Sequence, residues 1–193
     1  MTEPRSTKKA YTDLNTQGKK SLTTWEIVVF AMLGTLMFCS KIAMQALPNI
    51  HLLGMLIMTY TVVFRVKALI PIYIYVILEG IFAGFNIWWI QYLYIWTVLW
   101  ALTMLLPKDM PKKVKYVVYP LICCVHGLLF GLLYSPAYAL IMKMDLKAML
   151  SWVVAGFPFD AIHGLGNLVL GLLIVPLSEL LKKLMSKEII VKK

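Results

Sequence analysis

An all-α membrane protein of six transmembrane helices, with both termini on the cytoplasmic side, is the fold predicted by three features of this 193-residue chain. Hydrophobic residues make up 61% of it and the mean hydropathy is +0.79. Apolar windows of roughly 20 residues therefore recur, each able to cross about 30 Å of hydrocarbon. The Lys and Arg residues fall into alternate gaps between these windows.

Taken in order, residues 1–22 are rich in Lys, Thr and Ser and read as a mobile cytoplasmic tail. No small-residue cleavage site follows a short apolar core there, so a signal peptide is not expected. Thr23-Thr24-Trp25-Glu26 has the pattern of a capping box that starts the first helix of a membrane domain spanning 23–185. Crossings are predicted at 25–47, 50–64, 68–85, 87–106, 116–141 and 159–181, and 186–193 form a basic cytoplasmic tail. Segment 146–155 is apolar but short, and Gly156 and Pro158 follow it. It reads as a surface or re-entrant helix on the outer side, with Pro158 in the first turn of helix six, where its missing N–H costs nothing.

With the N-terminus inside, the inner segments hold Arg5, Lys8, Lys9, Lys19 and Lys20, then Arg65 and Lys67, then Lys108, Lys112, Lys113 and Lys115, then Lys182, Lys183, Lys187, Lys192 and Lys193. Of the 19 cations only Lys41, Lys143 and Lys147 are left over, which fixes the orientation by the positive-inside rule. The net charge of +10 then reports contact with anionic lipid heads; the cations form no single soluble face for nucleic acid.

Several function classes lack their signatures. The chain has no G-x-x-x-x-G-K-[ST] loop for nucleotide phosphates, so active pumping would have to be powered by another polypeptide. It contains neither H-E-x-x-H nor G-x-S-x-G, and no period marks two inverted transporter halves. Cys39, Cys123 and Cys124 all lie in spans without a C-x-x-C, and His51, His126 and His163 have no ligand spacing. Neither a metal nor another cofactor is expected.

Three constellations remain. On helix six, Asp160, His163, Gly164, Asn167 and Gly171 fall within an arc of about 100°. Polar groups at membrane depth are expensive and mark functional candidates, although Asp160 could complement a helix dipole and Asn167 could bridge two helices. Asn49 and His51 lie in the first outer gap, and Trp89, Gln91 and Tyr92 follow the second, where aromatic residues form an interfacial belt or the wall of a pocket for a flat, partly polar molecule. Lys41 either snorkels or joins a cavity, whereas Glu79, deep in helix three, needs a partner such as His126 or Tyr75, or a protonated state.

Small residues Ala31, Thr35, Cys39 and Ala43 repeat along helix one. They permit close approach of another helix, from this chain or from a partner. Gly80-x-x-x-Gly84 and Gly127-x-x-x-Gly131 have the same property and read as internal packing.

Six helices with both ends inside, this stripe, and a last helix that opens Gly156-Phe157-Pro158-Phe159-Asp160-Ala161-Ile162-His163 before Asn167 resemble the S components of energy-coupling factor (ECF) vitamin transporters, over about residues 25–184. The resemblance implies a non-catalytic, substrate-binding subunit in a bacterial inner membrane, docked on a transmembrane T component that carries two ATPases. Docking in that family uses Ala-x-x-x-Ala on helix one, which maps here to Ala31, Thr35, Cys39 and Ala43, with Thr and Cys at the middle positions. The substrate site maps to Asn49, His51, Trp89, Gln91, Tyr92, Asp160, His163 and Asn167. A cobalamin-like corrinoid comes first by resemblance, and a pyrimidine vitamin precursor or another B vitamin also suits an aromatic, amide-rich pocket. An intramembrane enzyme using Asp160 and His163 as acid and base, or a small stand-alone carrier, is the alternative from another class.

Overall fold

The computed structural model describes residues 22–191, with side chains described to residue 185; most of the basic N-terminal tail lies outside this range. Among the described residues the chain is helical and forms no strand. Helix α1 runs Thr24–Ala43, α2 Leu53–Phe64, α3 Leu69–Ala83, α4 Ile87–Leu105, α5 Lys112–Leu128, α6 Phe130–Met142, α7 Leu146–Gly171 and α8 Ile174–Val191. Local signals set several of these ends. The Thr23 hydroxyl accepts from the Glu26 N–H at 3.2 Å while the Glu26 carboxylate accepts from the Thr23 N–H at 3.0 Å, the reciprocal pair expected of the capping box. Asn86 and Asp145 cap α4 and α7 with a single side-chain bond each, accepting from the Trp88 and Ala148 N–H groups.

Among the described residues, five stretches are long and apolar enough to cross a membrane: Thr24–Ala43, Leu53–Ala83, Ile87–Leu105, Lys112–Met142 and Leu146–Gly171. The second is a hairpin rather than a rod. Phe64 packs edge-on to Phe30 and the Tyr60 hydroxyl reaches the Leu33 carbonyl, so α2 runs antiparallel to α1. Lys67 then pairs with Glu26 and Glu79 with Lys41, which sets α3 parallel to α1. The chain reverses through a 3-10 turn, Arg65–Ala68, at whose start Arg65 sits at φ 56°.

The bundle has three layers. α1 packs on α3; α2 packs on α4 in the middle; α5, α6, α7 and α8 form the far side. The middle layer holds the core. Every residue from Leu53 to Thr61 is buried, and Ile95, Trp96 and Leu99 meet them from α4. Burial of this kind costs nothing extra in lipid, where close packing replaces the hydrophobic drive between helices.

Glycines set the closest approach, between α5–α6 and α7. A Cβ on Gly127 would lie 2.9 Å from the Gly164 Cα, and one on Gly171 2.7 Å from the Pro120 Cα. The two helices therefore run antiparallel in fixed register, with Gly131 opposite Asp160, Gly127 opposite Gly164, and Cys123 opposite Asn167. The buried residues of α7 are Asp160, His163, Gly164, Asn167 and Gly171, the same five that share one arc in the sequence. Gly127-x-x-x-Gly131 is thus internal packing. Gly80 instead receives the ring of Phe85 from the turn just after it and that of Trp89 from α4, and Gly84, at φ 93°, ends α3.

Two expectations are corrected. Residues 146–155 are not a separate re-entrant helix but the first turns of α7, which continues through Gly156 and Pro158 without a break. Proline removes a single N–H donor, and Gly156 keeps a negative φ, so neither residue stops a long apolar helix. Pro158 accordingly lies in a helix interior rather than in a first turn. The bend comes later, at Leu172–Leu173, where the N–H groups reach back three residues, to Val169 and Leu170. The expected last crossing, 159–181, is therefore divided between α7 and α8.

Candidate functional site

At the end of the bundle where α1 and α3 finish, a cavity of about 290 Å³ is roofed by the 44–51 segment. Its walls carry Lys41 and Glu79 on one side, His51, Phe130 and His163 on the other, and Tyr92 between them. Lys41 and Glu79 form an ion pair that joins α1 to α3. The Lys41 ammonium also lies 5.7 Å and 5.9 Å from the ring centres of Trp88 and Tyr92. That position combines charge pairing with cation–π attraction. Glu79 is fully buried, and Lys41 is its only counter-ion among the described residues. The expected partners, His126 and Tyr75, do not serve: the His126 Nε2 is 3.1 Å from the Ile95 carbonyl, and the Tyr75 hydroxyl makes no hydrogen bond among the described residues.

Beneath these groups lies an aromatic bed. Trp96 is buried, with Tyr92 at 5.4 Å, Phe130 at 5.7 Å, and His51 and His126 both at 6.1 Å between ring centres. The His51 and His163 rings are 4.7 Å apart, and Phe130 stands edge-on to His163 at 5.0 Å. Three polar atoms of the cavity wall are buried without a hydrogen-bond partner among the described residues: His51 Nδ1, Glu79 Oε1 and His163 Nε2. A native interior leaves few such atoms, and these three belong to residues that line one cavity. The set offers one carboxylate acceptor and two imidazole nitrogens between flat rings, which suits a compact planar molecule with a hydrogen-bonding edge. No group of three or more His, Cys, Asp or Glu side chains is placed to hold a metal among the described residues.

The eight residues expected at the site divide into two sets. Asn49, at φ 57° in the roof, His51, Tyr92 and His163 line the cavity. The other four are used elsewhere. The Trp89 indole N–H donates to the Val76 carbonyl at 2.7 Å and ties α4 to α3. Gln91 is buried and turns its amide nitrogen onto the Ile87 and Trp88 carbonyls of its own helix. Asp160 accepts the Gly131 N–H at 3.0 Å and lines a separate aromatic groove with Tyr134, Trp152 and Phe159. It therefore shares no cavity with His163. Asn167 donates to the Cys123 carbonyl at 3.2 Å, under Gly54 and Gly127.

Lys41 and Glu79, which the sequence leaves open between a structural role and a cavity, line it, as does Phe130, which sequence reasoning did not single out. The available signal was a carboxylate in an apolar span with no route to water; what local pattern cannot supply is a partner 38 positions away.

Asn167→Leu is accordingly expected to lower thermal stability, by about 1–3 kcal/mol for the lost hydrogen bond and the crowding of Gly54 and Gly127. Ligand affinity of the folded protein should stay unchanged. Melting curves and binding isotherms on the same preparation check both statements.

Comparison of the chain with protein families, curated proteins and solved structures gave no match.

Proposed function

We propose that this chain is the substrate-binding S component of an ECF-type importer in a bacterial inner membrane. In this reading it takes a small vitamin-like molecule from outside and delivers it through a T component powered by two ATPases. The observation that carries the reading is one roofed cavity lined by Glu79, His51 and His163, each with a buried polar atom that has no partner among the described residues, and by the ion-paired Lys41. This reading counts both limbs of the Leu53–Ala83 hairpin as crossings, which makes six of the five candidate stretches. In this reading the charge pattern favours cytoplasmic termini, with the cavity at the outer face.

The volume narrows the substrate. A site of about 290 Å³ lies at the small end of ligand pockets. A single or fused heterocycle fits this space, whereas a corrinoid with its side chains exceeds it. Lys41 and Glu79 balance each other's charge, which favours a ligand that is neutral or zwitterionic overall.

The test is to extract the protein in detergent, denature it, and identify the released small molecule by mass spectrometry. One compact heterocyclic compound in near-equimolar amount is expected. His163→Leu should lose at least about tenfold in affinity for that compound, whereas Asp160→Asn should retain it. Turnover of the compound by the purified chain would transfer the site to an intramembrane enzyme. Transport in liposomes without ATPases would transfer it to a stand-alone carrier.

A further inference from the structure

We propose that a second cavity, at the opposite end of the bundle, binds a phosphate-bearing anion: the headgroup of an acidic phospholipid or a free phosphate. This cavity measures about 300 Å³, and its wall carries Arg65, Lys108, Lys115 and Lys182 against a single carboxylate, Asp109. The four cations come from four separate places: the turn after α2, the segment joining α4 to α5, the start of α5, and α8. They are not one basic run that happens to end a helix.

Other cations at this end are already paired, Lys67 with Glu26 and Lys112 with Glu179 at 2.8 Å. Lys108, Lys115 and Lys182 have no ion pair among the described residues. Four positive groups held round one small space repel each other, and an anion placed among them removes that repulsion.

Arg65 is fixed for the task from two directions. Its backbone carbonyl accepts the Trp100 indole N–H at 3.1 Å, and its Nη2 donates to the Met104 carbonyl at 3.0 Å. That bond uses one of the five guanidinium N–H groups. Tyr119, 4% exposed, lines the same cavity. Thr103 lines the same wall, but its hydroxyl donates to Leu99, so it offers only an acceptor. Donors therefore reach the space from several directions: a guanidinium fork, three ammonium groups and a phenol. A tetrahedral phosphate can meet them all, whereas a planar carboxylate meets one fork. Orientation by the positive-inside rule accounts for basic residues at this end but not for the convergence of cations from four separate places on one cavity.

The full chain is reconstituted in phosphatidylcholine nanodiscs with and without phosphatidylglycerol, and native mass spectrometry reads which lipid stays bound. In parallel, inorganic phosphate is titrated into detergent-solubilised protein and the melting temperature followed. Preferential retention of phosphatidylglycerol is expected, falling at least about tenfold in K115Q/K182Q but not in the charge-matched K113Q/K183Q, whose residues lie outside the cavity. Tyr119→Phe should weaken binding roughly fivefold, for one hydrogen bond, without changing the melting temperature of the lipid-free protein.

A phosphate-dependent rise in melting temperature that K115Q/K182Q abolishes assigns the site to the free ion. An effect of phosphatidylglycerol alone assigns it to the headgroup. Absence of both effects, or equal loss in the two double variants, overturns the proposal. The cavity and its test are independent of the vitamin-binding reading.

Discussion

Lys41→Met should lower the stability of the protein by about 3 kcal/mol and abolish ligand retention. The substitution keeps the length of the side chain but leaves the fully buried Glu79 facing the cavity with no counter-ion. Removing one member of a buried pair typically costs 3–5 kcal/mol, and the 29% exposure of Lys41 puts this case at the lower limit. Most of that loss reflects the abandoned carboxylate rather than the attraction itself. Lys41→Met/Glu79→Gln should therefore recover most of the stability while remaining unable to hold ligand, since the acceptor at Glu79 Oε1 has changed. Thermal melts in detergent measure the first effect and mass spectrometry of released ligand the second. Normal ligand retention by the single variant would remove the ion pair from the site.

The second large effect concerns helix α1. Ala31, Thr35, Cys39 and Ala43 are all exposed, and Ile27, Val28, Met32 and Leu36 beside them are at least half exposed. The helix meets its own bundle through another face, where Gly34 rests on Ile74 and Pro71 of α3. The stripe thus packs against no helix of this chain among the described residues. If it seats the T component, as proposed, Ala31→Trp should leave folding and ligand affinity unchanged while reducing co-purification with the T component and ATP-dependent uptake to background. An indole blocks the close backbone approach on which packing in lipid depends. Val169→Trp, at a 66% exposed position on α7, should leave uptake unchanged. Full uptake by the Ala31 variant would refute docking through this stripe. Loss of stability in the solitary subunit would show that the stripe supports its own fold.

Helix identity and the buried arc of α7 could be read from the chain because both follow from short-range periodicity: apolar windows set the helices, and 100° steps put Asp160, His163 and Asn167 on one face. The capping box at Thr23 was legible for the same reason. What the pattern could not separate was a polar residue aimed at another helix from one aimed at a space. Asp160 and Asn167 share the arc of His163, yet each is occupied by a backbone group of the neighbouring helix, at Gly131 and at Cys123. Trp89 and Tyr92 share a face too, but Trp89 is bonded into α3 while Tyr92 borders the cavity. The Lys41–Glu79 pair joins two helices separated by a third in sequence, so it depends on layer order. Gly156 and Pro158 misled because their preference for breaks is weaker in a long helix whose other positions remain bonded.

The three-layer arrangement has a mechanical corollary. α1 and α3 form one close-packed couple, α5 and α7 another locked by its glycines, and the two couples are joined through α2 and α4 rather than directly. The cavity roofed by residues 44–51 draws one wall from each couple, Lys41 and Glu79 from the first and His163 from the second. Its width is therefore governed by the thickness of the interposed layer, much as a shim sets the gap of a vice. Leu99→Ala, buried in that layer, would let the jaws relax by a fraction of an ångström and retune affinity without touching the cavity lining. An unaltered dissociation constant in that variant would mean that the jaws are held apart by the roof segment instead.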